Sequence, residues 1–184
     1  MKKEILALLV VVACWGSTLQ ANDWENAPIS EVQKAAEQGN VDAQSLLGAM
    51  YANGFGVAQD YKQAVAWTRK AAEQGNVGAQ GLLGVLYKYG MGVAQDYKQA
   101  VAWTRKAAEQ GNVDAQRRLG AMYEDGEGVA QDNKQAVAWY RKAAEQGNVD
   151  AQILLGIKYE DGKGVAQDDK QAVAWYRKAA EQGN

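Results

Sequence analysis

From residue 29 onward, apolar and polar positions follow a helical period that is interrupted and restarted at regular intervals. Ala43, Leu47, Met50 and Tyr51 fall at helical spacing and predict a first helix. Asn40 stands in front of it as N-cap, and Asp42 suits the positive helix end. Gly54, Phe55 and Gly56 then break the pattern, the two glycines supplying the positive φ of a turn. A second stripe, Ala64, Val65, Thr68, Ala71 and Ala72, opens behind Asp60, with Gln63 three residues on as in a capping box. Gly75 ends it as a left-handed cap. The product is a helix–turn–helix unit.

That unit repeats. Glu-Gln-Gly-Asn ends at Asn40, Asn76, Asn112, Asn148 and Asn184, a spacing of 36 residues, which sets four repeats at 41–76, 77–112, 113–148 and 149–184. The Asp/Gln pair returns as Asp96/Gln99, Asp132/Gln135 and Asp168/Gln171. Residues 22–40 read as a short linker and an N-terminal capping helix, a lone second helix with Ser30 and Gln33 as its capping box. Gly48, Gly84, Gly120 and Gly156 sit inside the first helices, where each costs about 1 kcal/mol relative to Ala. Their return in every copy predicts a neighbouring backbone or Trp ring too close for a side chain.

Ahead of the repeats, Lys2 and Lys3 precede an apolar run over residues 5–13, too short to span a bilayer and typical of an export signal. Two processing routes follow. Cleavage after Leu19-Gln20-Ala21 makes residues 1–21 a signal peptide, which the polar stretch 17–20 favours. Alternatively, Val11-Val12-Ala13-Cys14 resembles a bacterial lipobox lacking its usual Leu, so that residues 1–13 are removed and Cys14 carries a lipid. The first predicts a periplasmic or secreted bacterial protein, the second a membrane-anchored lipoprotein.

Composition then removes whole classes of chemistry. With 20 Lys+Arg against 22 Asp+Glu, the net charge of −2 gives no basic footprint for nucleic acid. The absence of His excludes His-based metal sites, His general bases and Ser-His-Asp or Cys-His catalysis. One Cys allows neither a disulfide framework nor CxxC. Gly54-Phe55-Gly56 is no phosphate loop, because no GKS/T follows and no strand precedes it. Glu124-Asp125-Gly126-Glu127 lacks the alternating ligand spacing of a calcium loop. No cofactor, metal or nucleic acid is expected.

The run Ala43-x-x-x-Leu47-Gly48-x-x-Tyr51-x-x-Gly54-x-Gly56-Val57-x-x-Asp60-x-x-x-Ala64-x-x-Trp67-x-x-x-Ala71-Ala72-x-x-Gly75 resembles the Sel1-like repeat, a relative of the tetratricopeptide repeat. The resemblance covers 41–184. It implies an all-α fold, an α/α right-handed superhelix (solenoid) whose first helices line a concave groove, and a role as an adaptor that binds protein segments. Some cysteine-rich members of that family have been linked to β-lactamase or penicillin-binding activity. This chain has no paired Cys, and neither Ser30 nor Ser45 begins a Ser-x-x-Lys, so an enzyme of that kind is disfavoured.

Differences among the copies locate the expected site. Ten positions of the unit vary, those of Asp42, Ser45, Leu46, Ala49, Met50, Ala52, Asn53, Phe55, Tyr61 and Thr68, and seven of them lie on the first helix. The second helix is nearly constant even at Lys62, Arg69, Lys70 and Glu73, which reads as recent duplication. Along the expected groove, partner-binding residues are Asn53, Val85, Lys88, Tyr89, Arg117, Ala121, Glu124, Asp125, Ile153, Ile157, Glu160 and Asp161. Tyr89 would be the apolar anchor, and the acidic pairs would set register. The plainer alternative is that these positions are merely solvated. Arg118 replaces Leu46, Leu82 and Leu154, either as a tolerated substitution whose stem covers apolar surface or as a carboxylate-binding group beside Arg117. The leading reading is a non-catalytic interaction module. Another is self-association, as a homo-oligomer, through the outer face of the last repeat, which carries Ile153 and Tyr159.

Overall fold

The computed structural model describes residues 28–182. The export signal, both its processing sites and Cys14 lie outside the described residues, as do residues 22–27 of the expected linker. Among the described residues every regular element is an α-helix. The described residues form two compact units, 28–110 and 111–182. Unit 1 holds α1 (Ile29–Glu37), α2 (Val41–Asn53), α3 (Tyr61–Glu73), α4 (Val77–Tyr89) and α5 (Tyr97–Glu109). Unit 2 holds α6 (Val113–Asp125), α7 (Asn133–Glu145), α8 (Val149–Asp161) and α9 (Asp169–Gln182). No described helix is long and apolar enough to cross a membrane.

Local chemistry sets the helix ends. The Asn40 side chain accepts a hydrogen bond from the Ala43 amide at 2.9 Å, and Asn76, Asn112 and Asn148 cap α4, α6 and α8 in the same way. Gly54, Gly90, Gly126 and Gly162 end the first helices in the left-handed region, at φ between 65° and 74°. Asp60 caps α3 by accepting from the Lys62 and Gln63 amides. Its own amide donates back to the Tyr51 carbonyl at 2.9 Å, so the return bond of a capping box is made by α2 and not by Gln63. At the N-terminal end the capping box expected from Ser30 does not form. Pro28, at φ −56°, starts α1 without a side-chain cap and places Ser30 inside the helix.

In unit 1, Val32 and Ala36 of α1 pack with Ala43 and Leu47 of α2. Val65, Ala71 and Ala72 of α3 pack with Ala79, Leu83 and Leu86 of α4. In unit 2, Val137, Ala143 and Ala144 of α7 pack with Ala151 and Leu155 of α8. Within each unit, α3 and α7 therefore lay their valine and alanines against the first helix that follows them. Burying each leucine contributes roughly 1.5–3 kcal/mol.

The glycines inside the first helices answer to a different neighbour from the expected Trp ring. A Cβ on Gly48 would meet Thr68, including its backbone nitrogen at 2.9 Å, and Gly84 faces Thr104. A Cβ on Gly120 or Gly156 would lie 2.6 or 2.5 Å from the ring of Tyr140 or Tyr176. The backbone half of the expectation holds at Gly48, but the closest residue belongs to position 28 of the repeat, one residue beyond the tryptophan. The tryptophans serve another contact. Lys70, Lys106, Lys142 and Lys178 hold their ammonium groups 4.0–4.3 Å from the ring centroids of Trp67, Trp103, Trp139 and Trp175.

These contacts give the constancy of the second helix a physical basis. Arg69 donates to the Tyr87 hydroxyl at 2.6 Å, and Arg141 to that of Tyr159 at 2.7 Å, tying one repeat to the next. Buried Gln44, Gln80 and Gln152 each donate to an alanine carbonyl of the preceding helix, namely Ala36, Ala72 and Ala144. Each accepts in turn from the glutamine ending its own repeat's second helix, Gln74, Gln110 or Gln182. The buried glutamines are thus satisfied by groups that recur with the repeat.

Candidate functional site

The variable positions stand on the first helices, and the two units dispose of them differently. In unit 1, the variable positions along α2 are covered: Ser45, Ala49 and Ala52 are all buried. Ser45 donates to the Asn76 side chain at 3.1 Å. Val85, counted among the expected groove residues, is buried in the core of the unit and offers no surface to a partner. Asn53 is half-buried and donates to the Ala49 carbonyl at 2.8 Å. What unit 1 does present is the end of α4, where Tyr89 is 49% exposed and the Lys88 ammonium lies 5.8 Å from its ring centroid. Phe55, in the turn after α2, is exposed as well.

In unit 2 the same helix face is charged. Arg117 and Ala121 are half-buried on α6, and Arg117 Nε lies 3.7 Å from the Asp150 carboxylate. Arg118 is half-buried. Glu124 is not a free acidic edge. Its Oε2 accepts from the Tyr140 hydroxyl at 2.8 Å, and its Oε1 is ion-paired with Lys158 Nζ of α8. Lys158 is 3% exposed and stands where Met50, Leu86 and Met122 stand in the other repeats. Burial would raise the Glu124 carboxyl, but hydrogen bonds from Lys158 and Tyr140 and the adjacent ammonium outweigh it and hold the carboxyl below the usual range. Burial, followed by the bond to Glu124, pushes the Tyr140 hydroxyl well above the ordinary tyrosine value.

The remaining acidic residues are accessible. Asp125 is exposed at the end of α6. Glu160 accepts from the Tyr176 hydroxyl at 2.7 Å, a bond that pushes Tyr176 up to about 12. Asp161 is paired with Lys163 at 3.0 Å. Ile153 and Ile157 are exposed on α8. The structure therefore separates the twelve expected residues into three sets. Val85 and Glu124 belong to the packing. Asn53, Arg117 and Ala121 are half-buried. Lys88 is half-buried too, while Tyr89 in one unit, and Asp125, Ile153, Ile157, Glu160 and Asp161 in the other, carry the accessible chemistry.

Sequence reasoning passed over Lys158 and Tyr140 as members of one network. Two signals were available: a lysine in a column otherwise Met or Leu, and the change from Thr to Tyr at 140 and 176 in the copies that gain Glu124 and Glu160. Among the described residues no group of three or more His, Cys, Asp or Glu is placed to hold a metal.

The Sel1 repeat family model matches residues 33–40, 41–76, 77–112, 113–148 and 149–184. A Sel1 repeat protein from Oxalobacter formigenes is similar in structure at a TM-score of 0.77 and 43% identity, over 85% of this chain and 46% of that one. A protective antigen of uropathogenic Escherichia coli with an SLR fold is similar at a TM-score of 0.82 and 43% identity, over 100% of this chain and 39% of that one. Helicobacter pylori cysteine rich protein B is similar at a TM-score of 0.53 and 32% identity, over 68% of this chain and 90% of that one. The chain thus spans less than half the length of the first two. A comparison with curated proteins gives no match.

Proposed function

The chain belongs to the Sel1 repeat family, and from that premise we propose that it is a non-catalytic interaction module that binds a segment of another protein along its first helices, outside the bacterial cytoplasm. Sel1 repeats in general serve as scaffolds for protein–protein contact, and the differences among the four copies concentrate on that face. The observation that carries the reading is Tyr89. It is a large aromatic side chain left about half exposed at a helix end, with a lysine beside its ring, in a chain whose other repeats place Asn or Asp there. Exposed aromatics of this kind anchor interfaces, and exposed carboxylates such as Asp125 and Asp161 of unit 2 favour a basic segment of a partner. Export is read from Lys2, Lys3 and the apolar run behind them.

A photoreactive amino acid at position 89 of the full chain, irradiated in periplasmic extract, is expected to give one discrete crosslinked product. Asp125→Lys with Asp161→Lys should diminish that product, whereas Lys62→Glu with Glu73→Lys on the second helices should not. Equal loss from both pairs, or the same product from a photoreactive group at position 62, would sink the reading.

A further inference from the structure

The two ends of unit 1 differ in kind. At one end stand the turns 54–60 and 90–96, which join α2 to α3 and α4 to α5; at the other stand the turns 38–40 and 74–76. The first end gathers Phe55, Met91 and Tyr97 with Lys62 and Lys98. Phe55 is 55% exposed and Tyr97 39%, and both lysines are exposed as well. The two turns adjoin, because Gly92 lies so close to the Tyr61 carbonyl that a Cβ would collide with it. The second end carries Glu37, Asp42, Glu73 and Glu109, with no aromatic residue in 36–42, 72–78 or 108–110. Lys70 and Lys106, one turn further in, are stacked on Trp67 and Trp103. In unit 2 the positions of Phe55 and Met91 hold Glu127 and Lys163, and those of Tyr61 and Tyr97 hold Asn133 and Asp169.

We infer that the turn end of unit 1 docks on a bilayer surface rich in anionic phospholipid. Phe55 and Met91 enter the boundary between headgroups and acyl chains, Tyr97 stays at headgroup level, and Lys62 and Lys98 meet lipid phosphates. Charge and composition point to that occupant. Residues 52–59 and 89–95 carry no charge, so both turn tips can leave water without stranding an ion. The acids that follow them, Asp60 and Asp96, are held as N-caps by helix amides, whereas both lysine side chains are exposed. The Tyr97 hydroxyl accepts from Gln95 Nε2 at 3.0 Å, which fixes the ring and keeps the hydroxyl proton for a phosphate oxygen. The apolar side chains stand on separate turn tips, an arrangement that meets a plane, whereas peptide recognition uses a groove or a sheet edge. The acidic turns of unit 2 are repelled by the same surface. Tyr89 closes α4 at this end, but the face does not depend on it or on the groove reading.

The test uses the full chain with Cys14→Ser and a polarity-sensitive fluorophore on Phe55→Cys, titrated with vesicles of phosphatidylglycerol and phosphatidylcholine. A blue shift that saturates with lipid is expected, and none with vesicles of phosphatidylcholine alone. The fluorophore on Glu127→Cys, the same position in unit 2, should not shift, which separates this face from any pull of the apolar run at residues 5–13. Lys62→Gln with Lys98→Gln should weaken the titration about thirtyfold, as loss of two lysines near an anionic surface does. Glu73→Gln with Glu109→Gln, at the other end, should leave it unchanged. Equal shifts at positions 55 and 127, an equal response to phosphatidylcholine alone, or no shift at all would overturn the inference. So would a shift at position 55 produced by periplasmic extract cleared of lipid, which would put a protein on this face. A normal shift at position 55 with no crosslink from position 89 would support the face and count against the groove reading alone.

Discussion

In unit 1 the second helix meets the first through a threonine, and in unit 2 through a tyrosine. Thr68 and Thr104 are short, fully enclosed and set against Gly48 and Gly84. The Thr68 hydroxyl is buried without a hydrogen-bond partner. Tyr140 reaches past Gly120 to a carboxylate at the end of its partner helix, and that carboxylate reaches on to a lysine of the next repeat. One backbone plan thus supports two kinds of junction, one closed by apolar contact and one closed by a buried ionic chain. Apolar junctions tolerate substitution of similar volume, whereas a buried charge tolerates no loss of its partner.

The largest test of that contrast removes the carboxylate. Glu124→Ala leaves Lys158 buried and unpaired, and should destabilise unit 2 by about 3 kcal/mol in denaturant unfolding, with hydrogen exchange rising in α6 to α9. Adding Lys158→Met, which restores the apolar residue of the other repeats, should recover most of the loss. No recovery in the double variant would show that Glu124 matters for something other than the pair.

Tyr140→Phe keeps the ring against Gly120 and deletes only the bond to Glu124. A loss of about 1.5–2 kcal/mol is expected, typical of a hydrogen bond to a charged group. A loss under half of that would mean that the ring alone holds the junction.

Acid should separate the units with no substitution at all. The Glu124 carboxyl titrates below its unfolded value, so its contribution is present above the ordinary carboxylate pKa of about 4.3 and is lost as the pH falls through the depressed folded value. Hydrogen exchange measured between pH 5 and pH 3 should report earlier loss of protection in α6 to α8 than in α2 to α4. Glu124→Gln with Lys158→Met should abolish the difference, and its persistence in that variant would trace the acid sensitivity to another group.

The smallest effect has the opposite sign. Thr68→Val removes a buried hydroxyl that bonds to nothing and keeps the shape, so a gain of about 0–1 kcal/mol in unfolding free energy is expected. A cost above 1 kcal/mol would mean that the unit 1 junction is polar after all, and the contrast between the units would fall.

The elements and their ends were legible because their causes are local. Asn40 bonds an amide three residues away, Asp60 bonds amides two and three away, and Gly54 needs only its own φ. Ser30 misled because Pro28, two residues earlier, already starts the helix. The candidate site was legible only where a side chain is left exposed, as Tyr89 and Asp125 are. Glu124 looked like a surface acid because its partners are 16 and 34 residues distant in sequence, and pairing across helices leaves no mark on local periodicity. Val85 looked like a groove residue because the face covered by packing cannot be told from the open one within a single helix.

The glutamines buried in the first helices carry a consequence for how such a chain can change its length. Gln44 takes its place between a carbonyl eight residues behind it and the amide of Gln74, thirty residues ahead, and Gln80 and Gln152 do the same. Removing or adding one complete 36-residue copy returns every such amide to an equivalent pair of partners. Any other indel between two of them strands a buried amide, at a cost of about 1–3 kcal/mol. The polar ladder therefore acts as a ruler: it lets the array vary in whole copies and penalises every fraction of one.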